Sequence, residues 1–181
     1  MNGKLIGAGL YDGKIKLANG DEFDVYAIKS LSSTPDTTNV EVEGDDTKLG
    51  TFNFGNAMEI SLQMDGISFE ALQAITGNAV SNSSASTLDI ALGTDSEVNP
   101  PVFELRGYTR AKDTADTKGK IIMVFHACQI QGIPEITQEY QAALSVQCTV
   151  KAYPTTKDIT GSNLASQRIA TLKSANTAVN V

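Results

Sequence analysis

The chain has 181 residues, 41% of them hydrophobic and 6% aromatic, with no tryptophan; this length supports one domain with a real core, and the composition does not indicate a deep aromatic ligand pocket. Its 21 acidic and 14 basic side chains leave a formal charge of −7, which argues against a DNA-gripping protein, because phosphate contact draws on Lys and Arg. No window approaches the ~20 apolar residues of a membrane helix, the first residues lack a signal-peptide pattern, and two cysteines are too few for a disulfide framework, so the chain reads as made in a cytoplasm with reduced thiols.

Residues 1–23 are Gly-rich and read as an N-terminal arm, with a short strand near Lys14–Leu17 and a turn at Asn19-Gly20-Asp21. Asp24–Leu31 reads as a strand and Ser32–Thr38, which contains Pro35, as a loop. Asn39–Glu43 alternates, with Val40 and Val42 on one face and Glu41 and Glu43 on the other. Gly44-Asp45-Asp46 then reads as a hairpin turn, since Gly and Asp tolerate turn dihedrals. Ala57–Asp65 is the clearest strand: Met58, Ile60, Leu62 and Met64 share one face, and Glu59, Ser61, Gln63 and Asp65 the other.

The stretch DGISFEALQAITGN predicts one short amphipathic helix. Asp65 or Ser68 can cap its start, Phe69, Leu72 and Ile75 recur at helical spacing, and Gly77 follows the last turn. Residues 79–87 read as a polar loop, Leu88–Leu92 as a short strand, and Gly93–Pro101 as turn-like. Val102–Arg110 reads as a strand, 111–120 as a charged hairpin connection, and Ile121–Gln131 as a long strand apolar on both faces. Residues 132–139 read as a turn through Pro134, and Ala142–Ala152 as an alternating strand. Residues 154–181 are a polar C-terminal arm, loosely ordered or laid along a neighbour. About seven strands and one helix make the fold mainly β. It is expected to be an antiparallel β-sandwich or partial barrel over residues 24–153 with one short flanking α-helix.

Charge is unevenly placed. Residues 12–70 hold twelve acids against four lysines, a balance of −8, whereas residues 154–181 are net positive. Catalytic chemistry finds little support. His126, Cys128 and Cys148 allow a His/Cys/Cys zinc set, but two buried thiols beside a satisfied histidine is the stronger reading. Asp45 and Asp46 lack EF-hand spacing. A GxSxG elbow is missing, so a hydrolase would have to be built on His126 alone, and GAGLYDG is not a GxGxxG fingerprint. No catalytic residue, metal ligand or cofactor is expected. Arg106, Arg110, Lys112, Lys118 and Lys120 cluster on one hairpin, as a solvated rim or as a contact for an acidic partner such as another copy.

Five segments, in order and spacing, carry a resemblance: VEVEGDDTKLG at 40–50, AMEISLQMD at 57–65, ISFEALQAITG at 67–77, KIIMVFHACQIQGIPE at 120–135 and EYQAALSVQCTVKAY at 139–153. Together they resemble the tail tube (major tail) proteins of long-tailed bacteriophages. The resemblance implies a structural virion protein of the tail, assembled in the host cytoplasm, with no enzymatic activity and no membrane insertion. Its copies would form stacked hexameric rings, with sheets joining between subunits into a tube. The partners it implies are a tape-measure protein, tail terminator and distal tail or baseplate proteins, and DNA in transient, non-specific passage.

On that resemblance Glu59, Ser61, Gln63 and Asp65 are candidates for the lumen face. So are Ser145, Gln147 and Thr149, on the face that Ala143 and Lys151 share; Lys151 fits a DNA-repelling wall poorly. Glu43, Asp45, Asp46 and Lys48, with Arg110, Lys112, Lys118 and Lys120, are candidates for loops between subunits or rings. The alternatives are a tube protein of a contractile tail or secretion injector, and a monomeric β-sandwich carbohydrate-binding module.

Overall fold

The computed structural model describes residues 6–26, 28–44, 47–65, 67–77, 80–84, 87–90, 100–112, 118–138 and 144–175. Within them run β1 (Ile6–Leu17), β2 (Glu22–Tyr26), β3 (Ile28–Gly44), β4 (Thr47–Asp65), α1 (Phe69–Thr76), β5 (Val80–Ser84), β6 (Thr87–Ile90) and β7 (Phe103–Lys112). They are followed by β8 (Lys118–Thr137), β9 (Ser145–Ala152), β10 (Thr155–Lys157), β11 (Asn163–Arg168) and β12 (Ala170–Ala175). Eight strands form one sheet in the order β2-β1-β7-β8-β9-β4-β3, with β12 added on β8; β5-β6 and β10-β11 are separate hairpins. Every pairing is antiparallel. The protein is thus mainly antiparallel β with a single short helix among the described residues, and the large sheet is open rather than a closed barrel.

Alternation builds the core. Ile60, Leu62 and Met64 of β4 lie opposite Val150, Cys148 and Val146 of β9, and all six are buried. Ile15 of β1, Val25 of β2, Leu105 of β7 and Phe125 of β8 join the same cluster. The chain dictates how the sheet rolls. β2 ends at Tyr26 and β3 starts at Ile28, yet the two stand at opposite ends of the strand order. One intervening residue spans a few ångströms, so the two margins must curl toward each other around the apolar interior. Gly13 of β1 marks the approach: a Cβ there would collide with the Ile28 side chain and lie 2.9 Å from the Arg106 carbonyl oxygen.

The helix forms as its sequence dictates. Ser68 Oγ accepts from the Ala71 amide at 3.1 Å, capping the first turn. Gly77, in the left-handed region at φ 74°, donates its N–H to the Gln73 carbonyl at 2.8 Å. Ala71, Leu72 and Ile75 face the core.

Several expectations are corrected. Residues 1–23, read as an arm, hold β1 and the start of β2, and β1 lies between β2 and β7. Ser32–Thr38 is strand, not loop: β3 pairs with β4 from Ile28↔Met64 to Gly44↔Thr47. Pro35 is tolerated because β3 is an edge strand, where a missing N–H breaks no ladder. Residues 80–84, expected as loop, form β5. The Gly132–Pro134 segment is a bulge rather than a turn: between Gln131↔Thr149 and Glu135↔Gln147, β8 advances four residues while β9 advances two. Gly132 supplies the required positive φ of 72°. Residues 155–175, read as part of an arm either loosely ordered or laid along a neighbour, hold β10, β11 and β12, and β12 pairs with β8 of the same chain.

Candidate functional site

The two candidate lumen faces are one surface. The β4–β9 register sets Glu59 opposite Lys151, Ser61 opposite Thr149, Gln63 opposite Gln147 and Asp65 opposite Ser145. β8 extends each row, with Gln129 beside Lys151, Gln131 beside Thr149, Glu135 beside Gln147 and Thr137 beside Ser145. On the other flank β3 adds Thr34 to Glu59, Ser32 to Ser61 and Ser30 to Gln63. Four strands therefore present a grid of hydroxyls and amides, because cross-strand neighbours share a face and every second residue turns inward. Gln147 and Glu59 are exposed, while Ser61, Gln63, Asp65, Ser145 and Thr149 are half-buried. Ala143 lies outside the described residues.

The lysines beside this face pair with carboxylates, while Glu59 and Glu135 leave it mildly acidic. Lys29 Nζ lies 2.7 Å from Asp65 Oδ2, and Lys151 Nζ 2.6 Å from Asp36 Oδ2. The Lys29 hydrogen bond, opposed by partial desolvation and helped by the Ser145 hydroxyl, holds the Asp65 carboxyl below its usual range. The Asp36 hydrogen bond and charge raise Lys151. Lys151 is thus tied to a carboxylate on its own face. Gln63 Nε2 donates to Ser145 Oγ at 3.4 Å, linking β4 to β9.

The candidate contact residues sit on two hairpins. Glu43 lies opposite Lys48 near the end of the β3–β4 hairpin; Asp45 and Asp46 lie outside the described residues, between Gly44 and its partner Thr47. Arg110 lies opposite Lys120, and Lys112 opposite Lys118, at the end of the β7–β8 hairpin.

One cluster was not legible in the sequence. Glu104, buried on β7, takes Arg106 Nε at 2.7 Å and Nη2 at 2.6 Å on Oε1. Its Oε2 lies 3.3 Å from Nδ1 of buried His126, whose Nε2 lies 2.8 Å from Thr171 Oγ1 of β12. Arg106 Nη1 also reaches Glu22 at 3.6 Å, and Glu22 is shared with Lys16 at 3.3 Å. Burial works to lower the Arg106 pKa, but the Glu104 hydrogen bond and charge outweigh it and raise it. Carboxylate, imidazole and hydroxyl stand in the order of a nucleophilic relay. However, Arg106 already occupies the carboxylate, and Thr171 lies within a paired strand. Two surface grooves, one between α1 and β1–β2 and one beside Met58 and Arg168, are lined by other residues.

The zinc set is not brought together. A bulge in β8 puts Leu105 opposite Phe125 but Phe103 opposite Cys128, so one more residue of β8 than of β7 is used between them. His126 then faces Glu104 while Cys128 faces the core. Cys148 lies in the core opposite Leu62. Burial pushes the Cys148 thiol up to about 12 and raises Cys128 as well. Among the described residues, no three His, Cys, Asp or Glu side chains are grouped to hold a metal ion, and no helix is long and apolar enough to cross a membrane.

No family model matches the chain, and no curated protein does. Among solved structures it is similar to a chain of the "Cryo-EM structure of the anti-feeding prophage (AFP) baseplate, 6-fold symmetrised", with a TM-score of 0.43 and 9% identity over 92% of this chain and 93% of that one. A likeness that distant names neither a family nor a function.

Proposed function

We propose that this chain is a self-assembling structural subunit of a phage-type tail tube, stacked as hexameric rings, with the polar face of β3, β4, β9 and β8 turned to the lumen. The observation that carries this reading is the face itself: four adjacent strands present polar side chains in register, while their alternate residues fill one core. A lumen that conducts DNA needs wettable groups without free cations, since clustered Lys and Arg would bind phosphates. Here both lysines of the grid are paired with carboxylates.

Edge chemistry supports the same reading. Among the described residues, β2 and β3 end the strand order. Joining the margins of adjacent copies would satisfy their backbone groups and abolish the edges. A tape-measure protein would fill the lumen before DNA does, and tail terminator and distal tail proteins would cap its ends. Electron microscopy of the purified chain, alone and with tail partners supplied, tests the proposal. Rings or tubes with a central hole are expected; a strict monomer at every concentration, partners included, would overturn it.

A further inference from the structure

The C-terminal strand β12 occupies an edge that the rest of the sheet leaves open. Along β8, residues 120–125 pair with β7 on one side and with β12 on the other, whereas β9 takes over that second side only from Cys128 onward. Without β12, the backbone of Lys120-Ile121-Ile122-Met123-Val124-Phe125 would lack a partner along this edge. Five apolar residues in succession, rich in β-formers and with no proline, make the kind of bare edge that templates pairing with another chain.

β12 is held there unevenly. Ile169, just before the strand, and Ala170, both partly buried, pack on the core, whereas Leu172 is 69% exposed. It is also fixed by Thr171, on the Nε2 of His126, whose ring rests against buried Glu104. The Ile169 carbonyl just before the strand accepts the His126 amide at 3.1 Å. The strand is therefore anchored on the core at its start and latched there to a buried, charge-bearing network.

We propose that β12 is an autoinhibitory strap: latched through Thr171–His126–Glu104, it withholds the β8 edge from strand pairing with a second copy of this chain. The second copy is the partner because the edge accepts any extended backbone of matching length, and copies of the chain, with their own strand margins β2 and β3, bring such backbone whenever they meet. The outer edge that β12 presents instead carries exposed Lys173, a residue that discourages edge pairing.

The test uses the full chain in two forms. Thr171→Val keeps the shape and removes the hydroxyl; Met123→Cys with Leu172→Cys, at paired positions, forms a reversible tether across the strap. Amide exchange over 120–125 and 170–175 is read together with mass by analytical ultracentrifugation across concentration. Thr171→Val should quicken exchange in both segments by about tenfold, the loss of one hydrogen bond, and lower the concentration at which oligomers appear. The tethered form should stay monomeric until reductant is added. If the tethered form associates like the unmodified chain, or Thr171→Val opens the strand with no change in association, the strap is refuted. The outcome is separable from the tube proposal. Oligomers that appear only on strap release, and are not rings, would keep the strap and remove the tube. Rings formed by the tethered form would do the reverse.

Discussion

At the scale of single residues, the two cysteines show how burial silences chemistry. The nucleophile is the thiolate, and burial holds Cys148 near 12 and raises Cys128. In the native protein at pH 8, neither thiol should react with a maleimide or a disulfide reagent over hours, and both should react on unfolding. A thiol count above zero under native conditions would contradict the core placement. That both thiols are core hydrophobes was legible from their place on alternating strands. The environment of His126 was not. Strand parity predicts that His126 and Cys128 share a face, and one extra residue in β8 reverses that parity. A bulge of this type leaves no mark in composition, so the Glu104–His126–Thr171 chain could be seen only once the strands were in register.

Among elements, Gly13 marks a close approach of β1 to β3. Gly13→Ala would press a methyl group against Ile28 and toward the Arg106 carbonyl, which is backbone and cannot rotate away. A loss of about 1–3 kcal/mol is expected, read as a lower denaturation midpoint in urea with an unchanged slope; an unaltered midpoint would mean that the margins are not closely packed at Ile28. The elements themselves were unequally legible. The 57–65 stretch of β4 and helix α1 could be read directly, because period-2 alternation and the Ser68 and Gly77 caps are local signals. Of the segments that were misjudged, three turned on a non-local fact. Pro35 argues for a loop unless the strand lies at an edge. Gly132-Ile133-Pro134 argues for a turn unless a partner strand continues on both sides. The polar sequence of β12 does not reveal that an apolar edge awaits it.

For the whole molecule, the relevant quantity is the charge on the polar grid rather than the net −7. The strong acidity of residues 12–70 suggested a repelling wall. On the grid itself, Asp65 and Asp36 are paired with lysines, hydroxyls and amides are the commonest groups, and Glu59 and Glu135 keep the face mildly negative. Gln131→Lys with Gln147→Lys, both at exposed positions on this face, should change unfolding free energy by no more than about 0.5 kcal/mol. If the chain assembles into tubes as proposed, the same pair should retain labelled duplex DNA at low salt and release it as salt rises, while the unmodified tube retains none. Equal retention by the two would argue against this face as the lumen. The strand order also imposes a schedule. β3 and β4 are adjacent in sequence and can pair as soon as they are made, whereas β1 must wait for β7, some 90 residues later. At a synthesis rate of roughly 5–20 residues per second, that is a delay of about 5–20 s. β12 is made after β9, so every nascent chain passes through a stage in which β8 has acquired β9 but still shows a bare flank over 120–125. On a polysome, where growing copies lie side by side, that interval is when a neighbour is nearest, and a message that stopped short of residue 170 would make the vulnerable stage permanent.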